Sequence, residues 1–261
     1  MEFRDNISVI IPMFNSSGTI ERTLNSIAVQ SLEAIHIVFL VDDGSEDSTI
    51  RTVNKIKNNY DFQIRLLINP GKGVSAARNY GAKFVTTEWI AFLDSDDMWL
   101  PHKFQKSAVF LSNIDDVDMF GGRESNIQKH HKIKKMRPYH MFTKYEPVIQ
   151  TTIVKTDVFK SVSGFNENMS YAEDLDFSVR VSAKFNVYLL PFRDFLTNPD
   201  KKRFGDSGLS KNSKLMQKGI ESSLKRAFNQ REIKFYQYIL LYIFNRIKYM
   251  RRIIIICFRY I

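Results

Sequence analysis

Cysteine is almost absent from this sequence: Cys257 stands alone. A single thiol excludes an internal disulfide framework and any metal cluster built on cysteine, and a reducing compartment is the simple inference. Long apolar runs are also missing. The stretch from Phe235 to Phe244 is interrupted by Arg246, Lys248, Arg251 and Arg252 before Ile253–Phe258 resumes it, and neither run reaches the ~18 residues of a membrane-spanning helix. The opening residues, Met1-Glu2-Phe3-Arg4-Asp5-Asn6, lack the charged lead, apolar core and small-residue cleavage pattern of a secretory signal, so the active part is expected in the cytoplasm. Most of the chain lacks a charge excess as well. The formal net charge is +10, yet residues 1–199 carry 23 Lys/Arg against 24 Asp/Glu, whereas residues 200–261 carry 15 against 4. A neutral body argues against a nucleic-acid groove across the fold, and a basic tail points to attachment at a surface.

What is present is a globular composition, 44% hydrophobic and 25% charged over 261 residues, enough for a sizeable core in one or two domains. The most informative stretch is Trp89-Ile90-Ala91-Phe92-Leu93-Asp94-Ser95-Asp96-Asp97. Five apolar or aromatic residues read as a strand buried on both faces, and three carboxylates follow at its C-terminal end. Carboxylates this close repel one another unless a cation sits among them. Mg²⁺ or Mn²⁺ takes oxygen ligands of this kind, usually together with phosphate oxygens. The bland alternative is a solvated loop that caps the next helix. Asp-x-Asp recurs at Asp116/Asp118 and Asp174/Asp176, but only Asp94/Asp96 follows a strongly apolar strand. Open α/β sheets bind ligands beyond the carboxyl ends of their strands.

Taken in order, Ile7–Pro12 reads as a first buried strand, Thr19–Ser31 as a helix, and Ile35–Val41 as a second strand ending in Asp42-Asp43-Gly44-Ser45. A helix with Ile50, Val53 and Ile56 on one face follows, then a strand at Ile64–Ile68, a loop at Asn69-Pro70-Gly71-Lys72-Gly73, and a small-residue helix, Val74–Lys83, carrying Arg78. This alternation requires parallel strands with helices on both faces, which gathers the strand ends, and so Asp43, Arg78 and Asp96, on one rim. An Asx turn with a helix cap is the plain alternative for Asp42 and Ser45. Further on, the pattern predicts a helix over Asp97–Leu111 and strands at Asp118–Gly121 and Gln150–Val154. Residues 128–137 read as a solvated basic loop or strand pair, in which His130 and His131 lack the company a metal site needs. A helix beginning near Ala172 carries Glu173, Asp174 and Asp176 in its first turn, where the helix dipole alone accounts for acids.

Five of these segments, in this order and spacing, resemble a family 2 glycosyltransferase with the GT-A fold. They are Ser8–Asn15, Val41–Thr49, Gly73–Asn79, Phe92–Asp97 with Pro101 downstream, and Gly164-Phe165 ahead of Glu173-Asp174. The resemblance covers roughly residues 6–200. It implies an α/β fold with a mixed, mostly parallel central sheet and helices on both faces. A nucleotide-sugar half (about 1–97) and an acceptor half (about 98–200) would be followed by a basic amphipathic helical segment at 201–261. It also implies roles: Asp43 on the nucleotide base beside Pro12, Phe14 and Asn15, Arg78 near base and diphosphate, Asp94 and Ser95 near the ribose, Asp96 on a Mn²⁺ or Mg²⁺ ion, and Asp174 as general base. Asp42 and Glu173 would support them. The resemblance further implies inversion at the sugar, a nucleotide-sugar donor with UDP expected, and a glycan or lipid-linked acceptor.

The match has gaps. Relatives carry a histidine in a segment like Arg203-Phe204-Gly205-Asp206-Ser207-Gly208-Leu209-Ser210, where this chain has none; Asp206 substitutes, or water and phosphate complete the ion's shell. No Gln-x-x-Arg-Trp mark of processive synthases occurs, which favours one sugar per encounter. Wound as a helix, the tail puts Lys248, Arg252 and Arg259 on one stripe and Ile247, Ile254 and Phe258 elsewhere, which suits the headgroup region of an anionic membrane and peripheral attachment to the inner face of the cell membrane. Packing on the catalytic domain, or on a second copy as a homodimer, is the alternative. Two rival functions remain. A nucleotidyltransferase would need a basic, Gly-rich loop where Asn15-Ser16-Ser17-Gly18 stands, and an inactive scaffold would have no use for Asp43, Asp96 and Asp174.

Overall fold

The computed structural model describes residues 6–30, 34–123, 132–144, 148–198 and 212–258. Seven elements of the first half alternate as the apolar spacing predicts: strand Ile7–Met13 (β1), helix Ile20–Ala28 (α1), strand Ile35–Asp42 (β2), helix Thr49–Ile56 (α2), strand Gln63–Ile68 (β3), helix Val74–Ala82 (α3) and strand Trp89–Phe92 (β4). β1 is buried at every position because the pleat sends alternate side chains into two separate cores. Val9, Ile11 and Met13 pack with Ile20, Leu24 and Ile27 of α1, while Ile10 packs with Ala77 and Ala82 of α3. β2 and β4 sort in the same way, with Leu40 and Ala91 on the α1 side and Phe39, Val41 and Phe92 on the α3 side. Each such aliphatic side chain contributes about 1.5–3 kcal/mol by leaving water. α3 lies unusually close to the sheet: a Cβ on Gly81 would stand 2.9 Å from Ile10 and 3.0 Å from Val41. That approach is why a run of small residues forms the helix that carries Arg78.

The second half adds strand Met98–Trp99 (β5), helix Lys103–Asn113 (α4), strands Met119–Arg123 (β6) and Lys134–Met136 (β7), helix Pro138–Lys144 (α5), strand Ile153–Lys155 (β8) and helices Thr156–Ser161 (α6) and Glu173–Lys184 (α7). Strands Val187–Arg193 (β9) and Phe195–Leu196 (β10) and helices Ser213–Asn229 (α8) and Phe235–Phe258 (α9) complete it. The main sheet runs β3-β2-β1-β4-β8-β6-β9-β7. β3, β2, β1 and β4 are parallel, and β8 enters antiparallel between β4 and β6. This is the mixed, mostly parallel α/β architecture expected, with helices on both faces.

Two local expectations are corrected. The helix predicted over Asp97–Leu111 begins only at Lys103, because Met98–Trp99 pairs as a short strand with β10 and Pro101 precedes His102 in a left-handed conformation, φ 66°. The strand predicted over Gln150–Val154 is a tight turn at Ile149–Thr151 followed by β8. The boundary expected near residue 200 falls outside the described residues. Beyond it, α8 packs on α7 and α5, and α9 packs on α8 and α5. No described helix is long and apolar enough to cross a membrane.

Candidate active site

A cleft of about 530 Å³ opens at the carboxyl ends of β1, β2 and β4. Its walls include Pro12, Phe14, Asn15, Asp43, Arg78, Asp94, Ser95, Asp96, Glu173 and Asp174, so the chain brings ten of the twelve expected residues to one place. Asp42 is not among them. It is buried, and its carboxylate accepts the amide N–H groups of Gly44 and Ser45 at 3.1 and 3.0 Å, which is the Asx-turn alternative. Asp206 lies outside the described residues.

Arg78 organises the site. The residue is 2% exposed, and its guanidinium donates to Asp94 at 2.8 Å and to Glu173 at 3.1 Å, with the Phe165 ring 5.2 Å away. A planar fork with fixed donors suits this task, since it can hold two carboxylates at a set angle. Gln150 donates to the second Asp94 oxygen at 2.7 Å, so Asp94 is held from both sides. Asp43 accepts from Asn69 at 2.7 Å and from the Gly73 amide at 2.9 Å, which ties the end of β2 to the start of α3. Asn15 lines the wall, but its side-chain oxygen accepts the amides of Glu46 and Asp47. Its part is to clasp two strand-end loops together, while Phe14, 57% exposed, forms the lip. Ser95 Oγ and Ser16 Oγ are 2.7 Å apart.

Oxygen atoms of Asp94, Asp96 and Asp97 lie within 4.8 Å of one another. Asp94 is committed to Arg78 and Gln150, and Asp97 is fully buried and accepts the Asn198 amide at 3.1 Å. Asp96 is the member of the three whose place on the cleft wall suits it to a cation. The electrostatics agree with such an ion. Asp43, Asp94, Asp96, Glu173 and Asp174 surround the cleft, and among the described lining residues Arg78 is the one cation. A diphosphate could not approach five carboxylates without a compensating charge, and oxygen donors of this set fit Mn²⁺ or Mg²⁺.

Asp174 sits in the first turn of α7, reached through Ala172 at φ 58°, a left-handed conformation that costs an alanine about 1–2 kcal/mol and sets where the helix begins. One Asp174 oxygen accepts the Leu175 amide at 2.7 Å. Burial pushes the Asp174 carboxyl above its usual range, with Arg78 opposing the shift. Burial and then the Asp174 charge do the same to Glu173. Asp176, two residues on, faces elsewhere: it is buried and accepts from Arg180 at 2.7 Å and from Arg226 of α8 at 2.8 Å, anchoring the C-terminal segment to α7.

Sequence reasoning missed Ser16, Gln150, Asn198 and Met216, all of which line the cleft. Met216 comes from α8, in the segment set apart from the catalytic region by its charge. α8 can approach because position 219 is glycine, where a Cβ would stand 2.3 Å from the Tyr171 carbonyl oxygen.

The chain resembles known proteins in sequence and in fold. Minor teichoic acid biosynthesis protein GgaA of Bacillus subtilis is 28% identical over 197 residues, 69% of this chain and 44% of that protein. Among solved structures, S. aureus TarS (residues 1–349) in complex with UDP-GlcNAc matches with a TM-score of 0.68 at 20% identity, over 91% of this chain and 70% of that one. Mannosyltransferase PcManGT from Pyrobaculum calidifontis, in complex with GDP-Man and Mn²⁺, matches with a TM-score of 0.65 at 17% identity, over 86% and 64%. The chain spans 60% of the length of the first curated relative it matches. The sequence profile of glycosyl transferase family 2 matches residues 8–169, and the chain belongs to that family.

Proposed function

We propose that the protein is an inverting, metal-dependent glycosyltransferase that moves a sugar from a nucleotide-sugar, UDP-linked in our reading, to a glycan or lipid-linked acceptor in cell-envelope polysaccharide synthesis. The observation that carries this is the bridge through Arg78, which joins the acids at the end of β4 to the first turn of α7 across one cleft. TarS with UDP-GlcNAc, PcManGT with GDP-Man and Mn²⁺, and the teichoic acid role in GgaA's name support the reading by analogy.

In this reading Asp43 accepts an N–H of the base, Phe14 covers it, and Asp94 and Ser95 meet the ribose. Asp96 would hold a Mn²⁺ or Mg²⁺ ion with the diphosphate oxygens, and a bound ion of this kind supplies Lewis-acid stabilisation to a departing nucleoside diphosphate. Asp174 accepts the proton of the acceptor hydroxyl as its oxygen bonds to the anomeric carbon, while the bond from that carbon to the diphosphate breaks on the opposite face. A single displacement inverts the anomeric centre and needs no covalent enzyme intermediate. Asp174→Asn keeps the shape of the site and removes the proton acceptor. It should abolish transfer of label from a radiolabelled nucleotide-sugar to a lipid-linked glycan extract while leaving nucleotide affinity nearly unchanged; transfer above a few per cent of wild type would remove Asp174 from the role.

The tail fits peripheral attachment at an anionic membrane, though not through the stripe that sequence spacing suggests. Lys248 of α9 turns inward, donating to the Thr143 carbonyl at 3.3 Å, and Asn245 is buried, donating to the Phe142 carbonyl at 3.3 Å. The outward positions are apolar: Leu240, Ile247, Met250 and Phe258 are each more than 60% exposed. At helical spacing Arg246 and Arg251 flank this stripe, and α9 contains no acid. Arg246 also pairs with Glu221 of α8 at 3.1 Å, and an exposed apolar face edged by basic residues of its own helix is complementary to a leaflet of anionic lipid. Ile247→Glu with Ile254→Glu should abolish co-sedimentation with phosphatidylglycerol vesicles. Unchanged sedimentation, or a wild-type dimer that the substitutions dissociate, would contradict it.

A further inference from the structure

A second concavity, of about 220 Å³, lies between the end of β6, β7 and α5. Its polar wall includes Arg123, Lys132, Lys134, His140 and Thr143, with no carboxylate among the described lining residues. Arg123 is 7% exposed, and Arg193 stands opposite it in the β6–β9 ladder. Lys132, Lys134 and Arg137 take part in no ion pair among the described residues.

His140 shows how the cavity is polarised. Its Nδ1 accepts the Arg137 amide N–H at 3.1 Å, so the ring is neutral with its proton on Nε2, where it can donate. Burial, then the charges of Lys134 and Arg137, hold its pKa down at about 4. The site is therefore electropositive even where its titratable member is uncharged. A guanidinium fork, two ammonium groups and an imidazole N–H offer donors from several directions, which matches a tetrahedral oxyanion better than a planar carboxylate.

The cavity stands in a useful place. β8 runs antiparallel to both β4 and β6, so β4 and β6 end on the same rim. Two strand spacings, about 10 Å, separate the end of β6 at Arg123 from the end of β4 beside Asp94. We propose that this cavity binds a phosphate group carried by the acceptor, gripping it at Arg123, Lys132, Lys134 and His140 while a hydroxyl of the same molecule reaches Asp174. This deepens, and rests on, the glycosyl-transfer reading. The phosphate belongs either to a phosphodiester polymer or to the diphosphate of a polyprenyl-linked glycan.

The probe is inorganic pyrophosphate added to the full chain in EDTA, which denies it metal-dependent binding in the main cleft, with the His140 ring resonances followed by NMR. Those resonances should shift saturably. Lys132→Glu with Lys134→Glu, both exposed in the fold, should weaken pyrophosphate binding at least tenfold without changing the thermal midpoint. In transfer assays the double variant should raise the acceptor KM about tenfold and leave kcat and the donor KM alone. Comparison of a glycerol-phosphate oligomer with a polyprenyl-diphosphate glycan identifies the source, whichever shows that rise. A silent His140, or wild-type binding by the double variant, would overturn the proposal. Pyrophosphate binding at His140 without sugar transfer from any donor would instead overturn the transferase reading.

Discussion

Arg78 and Glu173 lie 3.1 Å apart although 95 residues separate them in the chain, and through this contact the first turn of α7 is set against the ends of the parallel strands. Removing the guanidinium leaves two carboxylates, Asp94 and Glu173, buried or half-buried with no counter-charge. Breaking a buried pair from one side costs about 3–5 kcal/mol. Arg78→Met should therefore lower urea-unfolding stability by that order and eliminate transfer. Arg78→Lys, which keeps the charge and loses the fork, should cost less stability and still impair transfer, as measured by equilibrium unfolding alongside initial rates.

Burial raises the carboxyls of Asp174 and Glu173 above the ordinary carboxylate range. In the proposed role Asp174 works as the carboxylate, so activity should rise with pH through its folded-state value. The acidic limb of kcat/KM should accordingly lie above the ordinary carboxylate range. Arg78 opposes the shift, and any residual activity of Arg78→Met should have its limb at still higher pH. Stability has the opposite sign. The folded state holds these protons to higher pH than the unfolded chain does, so the two groups destabilise the fold as pH rises from about 4 through their folded-state values. Asp174→Asn should flatten that part of the stability profile.

Lys103 and Asp194 form a second buried pair, 2.7 Å apart and 1% and 2% exposed, with Lys103 also donating to the Thr151 carbonyl at 2.8 Å. The pair pins the turn that presents Gln150 and the link that brings Asn198 to Asp97. Lys103→Met alone should cost about 3–5 kcal/mol, and Lys103→Met with Asp194→Leu should recover most of it. Chemical denaturation of the two single variants and the double variant completes the cycle.

Gly219 lets α8 touch the loop that starts α7. The Cβ of Gly219→Ala would meet the Tyr171 carbonyl oxygen at 2.3 Å. Overpacking against backbone costs about 1–3 kcal/mol, and the displaced loop carries Ala172 and Asp174. Transfer should fall by more than nucleotide affinity does, which separate kcat and donor Kd measurements would show.

The first 97 residues were largely legible because three of their four strands, β1, β2 and β4, are buried almost throughout and lead into polar residues at their carboxyl ends. The alternation of apolar runs with helical spacing therefore points to parallel strands and to the common rim where Asp43, Arg78 and Asp96 meet. Gln150 and Asn198 gave no such signal. They reach the cleft through an antiparallel strand and a two-stranded ribbon, whose pairing depends on distant partners rather than on local pattern. Asp42 and Asp176 look like site acids in the sequence, yet one closes a turn and the other anchors α8. The tail misled for a related reason. Helical spacing fixes which residues share a stripe but not which stripe meets the protein, and Lys248 lies on the inner one.

The account's central claim is that the acids gathered by Arg78 serve a sugar nucleotide and a divalent ion. Thermal unfolding of the wild-type chain and of Asp96→Asn with UDP, GDP, CDP and dTDP sugars, each with and without Mn²⁺, tests it most directly. A ligand present at about a hundred times its Kd adds about 2.7 kcal/mol, or roughly 5–10 °C in a chain of this size. One nucleotide family, UDP-linked in our reading, should raise the midpoint by that order in wild type only when Mn²⁺ is present, and Asp96→Asn should lose the Mn²⁺-dependent part. Midpoints unmoved by every nucleotide-sugar at millimolar concentration with Mn²⁺, or equal shifts in Asp96→Asn, would contradict it.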